Sequence, residues 1–159
     1  MRAYRLLRIL FIIGMTLSLI LYFVPRYKPS GSILNAWTAT GGIERHVSSF
    51  DLCLLLVRTG NPAWGAYYIA LSAIELVLLL LALRHPGRWV FIVGSSEQLY
   101  LLIAFLLRPK SAALSEAFFS AFLTYAAWAM SLTGFFVKPP GTIATGRVSE
   151  APFREQSSA

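Results

Sequence analysis

The sequence predicts an all-α membrane protein: a four-transmembrane-helix bundle with a structured extracytoplasmic loop between helices 1 and 2. Three observations carry that expectation. Of the 159 residues, 57% are hydrophobic and 13% charged, against roughly 45–50% and about 25% in soluble domains. Four apolar runs each reach the ~20 residues that a helix needs to cross ~30 Å of hydrocarbon. The arginines behind the net charge of +7 stand at the ends of those runs (Arg2, Arg5, Arg8, Arg84, Arg88, Arg108). Membrane-flanking anchors are placed that way, whereas a nucleic-acid partner would call for a basic cluster on one polar face.

The runs extend from about Leu6 to Val24, Ala63 to Leu83, Trp89 to Leu107 and Ala112 to Val137. Lengths of this order without period-2 alternation mean helices rather than barrel strands. The first run follows the basic flank MRAYRLLR and ends in Tyr22, Phe23, Val24 and Pro25. No small-residue cleavage site follows, so it is expected to stay in the mature protein as an anchor. With the N-terminus inside, the cytoplasmic ends carry Arg2, Arg5, Arg8, Arg84, Arg88 and Lys138. The outer ends carry Arg26, Lys28, Arg58, Arg108 and Lys110. The three leading arginines favour both termini in the cytoplasm, in a plasma or inner membrane. Trp64, Trp89, Tyr22 and Tyr27 fall near helix ends and read as interfacial anchors, with Trp128 deeper in the core.

The transmembrane domain spans residues 1–137 and contains an outer loop, residues 25–62. Gly41-Gly42 and Gly60-Asn61 mark turns there. Ser32 to Thr40 and Val47 to Val57 fit short strands or an interfacial helix. The run LCLLLV (52–57) is too short to span, so it must pack on the bundle, the membrane surface or a partner. Residues 138–159 form a polar, Pro-, Gly-, Ser- and Thr-rich tail whose composition predicts an extended or disordered, flexible segment.

Against this apolar background the polar residues inside the spans stand out. Glu75 lies nine positions before Arg84, and Glu97 nine positions after Arg88. At 1.5 Å per residue both carboxyl groups lie about 13–14 Å from the same membrane face. The short link RHPGR makes the two helices antiparallel neighbours, so the acids are expected at one depth near mid-bilayer. Helical spacing brings Ser72 and Tyr68 to the face of Glu75, and Gly94, Tyr100 and Ala104 to that of Glu97. Two facing carboxylates in hydrocarbon do not both stay ionised. Glu75, Glu97, Tyr100 and Ser72 are therefore the candidate proton or cation site, with a static hydrogen-bonded clamp as the alternative.

A second polar set, Glu116, Ser120, Thr124, Ala127, Ser131 and Gly134, runs along the fourth helix at helical spacing. It is expected to be a packing stripe, with Glu116 in the first turn. Gly14 and Ser18 give the first helix a small-residue pair.

Enzyme chemistry has no positive support. GxSxG, HExxH and ExxH motifs are absent, and GSSEQ lacks the context of a phosphate loop. Cys53 is the single cysteine, which removes intrachain disulfides and CxxC sites and reads as a buried small hydrophobe. His46 and His85 have no ligand spacing, and ERH (44–46) reads as an exposed loop run. No cofactor or metal is expected. The partners expected are the lipid bilayer and either other membrane-protein subunits or further copies of the chain, with no nucleic acid.

Two functions fit these residues. The first is a non-catalytic subunit, assembly or accessory factor of a larger membrane complex, docking through its polar seams and apolar outer loop. The second is a proton- or cation-coupled transporter or channel, working as a homo-oligomer through the mid-membrane carboxylate pair.

Overall fold

In a computed structural model of the chain, residues 2–42, 46–85, 87–107, 114–116 and 118–139 are described, the strand 114–116 by its backbone alone. The tail beyond 139, together with Glu44, Arg45, Arg108 and Lys110, lies outside the described residues. The order of elements is α1 (Arg2–Phe23), β1 (Tyr27–Pro29), α2 (Gly31–Ala39), α3 (Ser49–Arg58), α4 (Pro62–Arg84), α5 (Arg88–Leu107), β2 (Leu114–Glu116) and α6 (Phe118–Leu132). A 3₁₀ turn, Thr133–Phe136, continues α6. Among the described residues four helical stretches, α1, α4, α5 and α6 with its 3₁₀ turn, are long and apolar enough to cross a membrane. That is the make-up of a multi-pass membrane protein.

Local chemistry sets most of the boundaries. α1 ends two residues before Pro25, which disfavours helical geometry in the residue ahead of it. α4 opens with Pro62 in its first turn, where the missing N–H costs nothing, and closes with Arg84 at its negative end. Gly60 turns the chain from α3 into α4 at φ +94°, and Gly41 ends α2 at φ +84°, backbone that favours glycine. α3 begins with a capping box. The Ser48 hydroxyl accepts from the Asp51 amide at 3.1 Å, and the Asp51 carboxylate accepts from the Ser48 amide at 2.9 Å.

The outer loop is helical where strand or helix were both open. α2 and α3 cover Ser32–Thr40 and most of Val47–Val57. The LCLLLV run lies in α3, which packs along α4 and touches α1. The fourth span differs from expectation at its start. Its helix begins at Phe118 rather than Ala112, and Leu114–Glu116 instead pair antiparallel with Tyr27–Pro29. A hydropathy run does not register a ladder between segments almost ninety residues apart, and that ladder satisfies the backbone without a helix. Glu116 therefore lies in a strand opposite Tyr27 and not in a helical first turn.

The four long helices neighbour one another as α1–α4, α4–α5, α5–α6 and α1–α6, the last being the most extensive pair. Gly14 makes it possible: a β-carbon there would stand 2.5 Å from the Ser131 amide nitrogen and 2.7 Å from the Ala127 carbonyl oxygen. Thr133 donates to the Leu7 carbonyl at 3.2 Å, so the start of α1 and the end of α6 share one end of the bundle. We call this the terminal end, and the opposite one the loop end. At the terminal end the Arg8 guanidinium donates to the Ala82 and Leu83 carbonyls, both at 3.0 Å, capping α4. The packed core also belongs to this half. Phe11, Met15, Leu78, Leu79, Ala82, Val90, Phe91 and Val137 form one cluster, with the Phe11 and Phe91 rings edge to face at 5.1 Å. Outside it the helices present Leu80, Ile103, Leu106 and Phe122 to the surroundings. An apolar exterior around a core with buried polar groups suits a hydrocarbon solvent.

Candidate functional site

The loop half of the bundle is hollow. A cavity of about 390 Å³ lies between α1, α4, α5 and α6, beneath α3. Glu75 and Ser18 lie at its deep end, next to the packed half, and Arg26 and Tyr27 at the other. Leucines from α1, α3, α4 and α5, with Phe105 and Trp128, make most of the wall.

Glu75 is 4% exposed. One carboxyl oxygen accepts from the Gln98 side-chain amide at 3.0 Å, and Ser18 lines the cavity beside the group. Gln98 is fully buried, and its own carbonyl oxygen has no partner among the described residues. Glu97 lies beside this pair within electrostatic reach of Glu75. Both of its carboxyl oxygens are buried, with no hydrogen-bond partner among the described residues. Buried polar atoms in this state are rare in native proteins, because desolvation is not compensated.

Of the remaining candidates, Ser72 lines the cavity; its hydroxyl donates to the Tyr68 carbonyl at 3.2 Å and is bonded to Tyr22. Tyr100 is not with the carboxylates. It is 42% exposed on the outer face of α5 and pairs with Tyr67. Glu97 is itself only half-buried at the edge of the inner face, and the net turn of roughly 60° over three residues carries Tyr100 beyond that edge. Ser120, Thr124 and Ser131 are all buried. Thr124 and Ser131 donate to carbonyls four residues back, at 2.9 and 2.8 Å. The Ser131 carbonyl in turn accepts from Ser95 at 2.7 Å. This stripe is an internal seam of α6 against α1 and α5, and Glu116 is not part of it.

Arg26, read from sequence as a flanking charge, turns inward. Its guanidinium donates to the Thr124 hydroxyl and stacks 4.6 Å from the centre of the Tyr27 ring. Its Nε is buried without a hydrogen-bond partner among the described residues. Cys53 also lines the cavity, where the Tyr22 hydroxyl donates to its sulfur at 3.4 Å. Burial pushes the Cys53 thiol above its ordinary value, and the Tyr22 bond offsets only part of that. No signal in the sequence separates Arg26 from Lys28 or Arg58 as a lining residue. Gln98 stands next to Glu97 in the chain, and only its position around the helix brings its amide to Glu75.

Among the described residues no three His, Cys, Asp or Glu side chains gather as metal ligands. The arrangement offers one polar enclave at mid-bundle, an amphipathic chamber on its loop side and an apolar plug on its terminal side. No family model matches the chain, and no curated protein or solved structure shows a significant similarity to it.

Proposed function

We propose that this multi-pass membrane protein is a proton- or cation-coupled transporter or channel, with Glu75 and Glu97 as the groups that take and release the ion. The observation that carries this reading is Glu75 at the deep end of the cavity, beside a second carboxyl group whose oxygens lack partners among the described residues. Ionisable groups in such a place are costly, and they mark ion pathways and proton relays. On the terminal side Phe11, Met15, Leu78 and Leu79 close the route. The conformation is thus open to an occupant on one side of the carboxylates and packed on the other, as one state of an alternating cycle requires. Both termini lie in the cytoplasm in this reading, following the arginine-rich first flank, and the active form is a homo-oligomer.

The test is proton or cation flux in liposomes loaded with a pH-sensitive dye. Wild-type protein is expected to conduct, and Glu75→Gln and Glu97→Gln each to abolish flux while the protein still folds, because glutamine keeps the shape and loses the proton. Flux that persists in both variants rejects the reading.

A second reading, a non-catalytic subunit or assembly factor of a larger complex, is favoured by one feature. Phe118, Phe119, Phe122 and Phe136 expose an aromatic ridge along α6 and its 3₁₀ turn. The two features that first favoured docking, the α6 stripe and the LCLLLV run, are occupied within the chain itself, so this reading ranks second. Stoichiometric co-purification of other membrane proteins in mild detergent would reverse the order.

A further inference from the structure

We propose that the loop-side cavity binds a small single-chain organic anion, with its acidic head on the Arg26 guanidinium and its apolar body between α3, α4, α5 and α6. The inference names the co-substrate of the coupled transport proposed above and rests on that reading for its purpose.

The sign of the ligand's charge follows from which polar groups are already satisfied. At the deep end, Glu75 already receives the Gln98 amide, and Ser18 lines the cavity beside it. At the other end, Arg26 has a buried Nε–H with no acceptor among the described residues, and no described carboxylate pairs with its charge. A guanidinium is a rigid fork of five donors suited to two-point recognition of a carboxylate or phosphate. Thr124 and the Tyr27 ring hold the group in place, so less side-chain freedom is lost on binding. Between the two ends the wall is mainly hydrocarbon, from Leu21, Leu52, Leu71, Leu101, Phe105 and Trp128, and polar groups that line it are engaged within the chain, Tyr22 on Cys53 and Ser72 on the Tyr68 carbonyl. A body without polar groups fits there. The negative charge is best placed away from Glu75, which fixes the head at Arg26.

Size narrows the class. About 390 Å³ lies at the small end of ligand pockets, which run from roughly 300 to 1,000 Å³. It accepts one short chain and not the paired chains of a membrane phospholipid, each about 15 Å long to fill half of the hydrocarbon core.

Trp128 lines the cavity and reports on it. The experiment uses full-length protein with Trp37, Trp64 and Trp89 replaced by Phe, in phosphatidylcholine nanodiscs. It is titrated with decanoate, decanol and decyltrimethylammonium while Trp128 fluorescence is read. Decanoate is expected to bind at least about tenfold tighter than the other two, the margin of a charge-assisted contact. Arg26→Gln is expected to reduce decanoate to the level of decanol, Arg26→Lys to fall between, and Glu75→Gln to leave decanoate binding in place. Equal binding of decanol, preference for the cation, or full affinity in Arg26→Gln overturns the proposal. If Arg26→Gln does not fold, the wild-type preference for decanoate over decanol decides. Adding phosphatidylglycerol to the discs is expected to change nothing; loss of the decanoate response there assigns the site to a lipid headgroup and overturns the free-anion form. The two proposals fail separately. Arg26-dependent binding with flux indifferent to Glu75→Gln removes the transport reading, whereas Glu75-dependent flux without decanoate binding removes this inference alone.

Discussion

Gly14 is the residue on which the most extensive helix contact depends. A methyl group there meets backbone atoms of Ser131 and Ala127, which cannot move without shifting α6. At Gly94 the same methyl meets the tip of the Phe11 ring, 2.7 Å from the added carbon, and a ring can turn aside. Gly14→Ala is therefore expected to cost about 1–3 kcal/mol, as overpacked interiors do, and Gly94→Ala clearly less. Thermal unfolding of the two variants in the same detergent checks the order. Cys53 gives a second expectation at this scale. The thiolate is the reactive form, and burial keeps the thiol neutral, so maleimide labelling at pH 7.5 should be many times slower in folded protein than in SDS. The sign for stability follows. The benefit of the neutral thiol is intact below the unfolded-chain value near about 8.5 and is lost as pH rises through the higher folded value. A buried thiol is also a poor topology probe, because slow labelling reflects packing as much as sidedness. Single residues are where the sequence was least legible. Depth can be counted along a helix, and it placed Glu75 and Glu97 at one level. Direction around the helix is set by neighbours, and it is Gln98 that hydrogen-bonds Glu75. Arg26 shows the same limit: a charge just past a helix end gives no hint of whether it points outward or in.

Elements were more legible, for a physical reason. A span is specified by its own composition, and α4 and α5 fall within a residue of the apolar runs that define them. α6 is the exception, since its start depends on β1 rather than on itself. α3 is specified by its capping box, which offers a direct test. Ser48 is 4% exposed, and its hydroxyl both accepts from the Asp51 amide and donates to the Asp51 carboxylate at 2.8 Å. Ser48→Ala is expected to cost about 1 kcal/mol. Because α3 covers the cavity, the loss should appear as faster amide exchange across Ser49–Arg58, with the long helices unchanged. Uniform acceleration across the chain would mean that the cap serves the whole fold rather than this one helix.

At the scale of the whole molecule, the division into a packed half and a hollow half is the main result that no pattern in the chain foretells. Hydropathy reports that a face is apolar, not whether the facing side chains meet. The tryptophans are easier to anticipate than the tyrosines, since Tyr22 and Tyr27, expected as interfacial anchors, line the cavity instead. Trp64 and Trp89 are each 58% exposed, at the loop end of α4 and the terminal end of α5, while Trp128 is 7% exposed in the interior. In bilayers of brominated phosphatidylcholine, single-tryptophan variants should show strong quenching of Trp64 and Trp89 from bromines near the headgroups and the weakest quenching of Trp128. Strong quenching of Trp128 would mean that α6 faces lipid on the side that here lines the cavity.

The pairing of α1 with α6 has a consequence for how the protein is made. A ribosome delivers the first long helix to the membrane roughly a hundred residues before the helix that covers its glycine face. Throughout that interval Gly14 and Ser18 must be sheltered by lipid, by the translocation machinery or by a chaperone. The ring of helices closes only when the last of the four arrives, so a chain interrupted after α5 leaves the facing sides of α1 and α5 as an open seam.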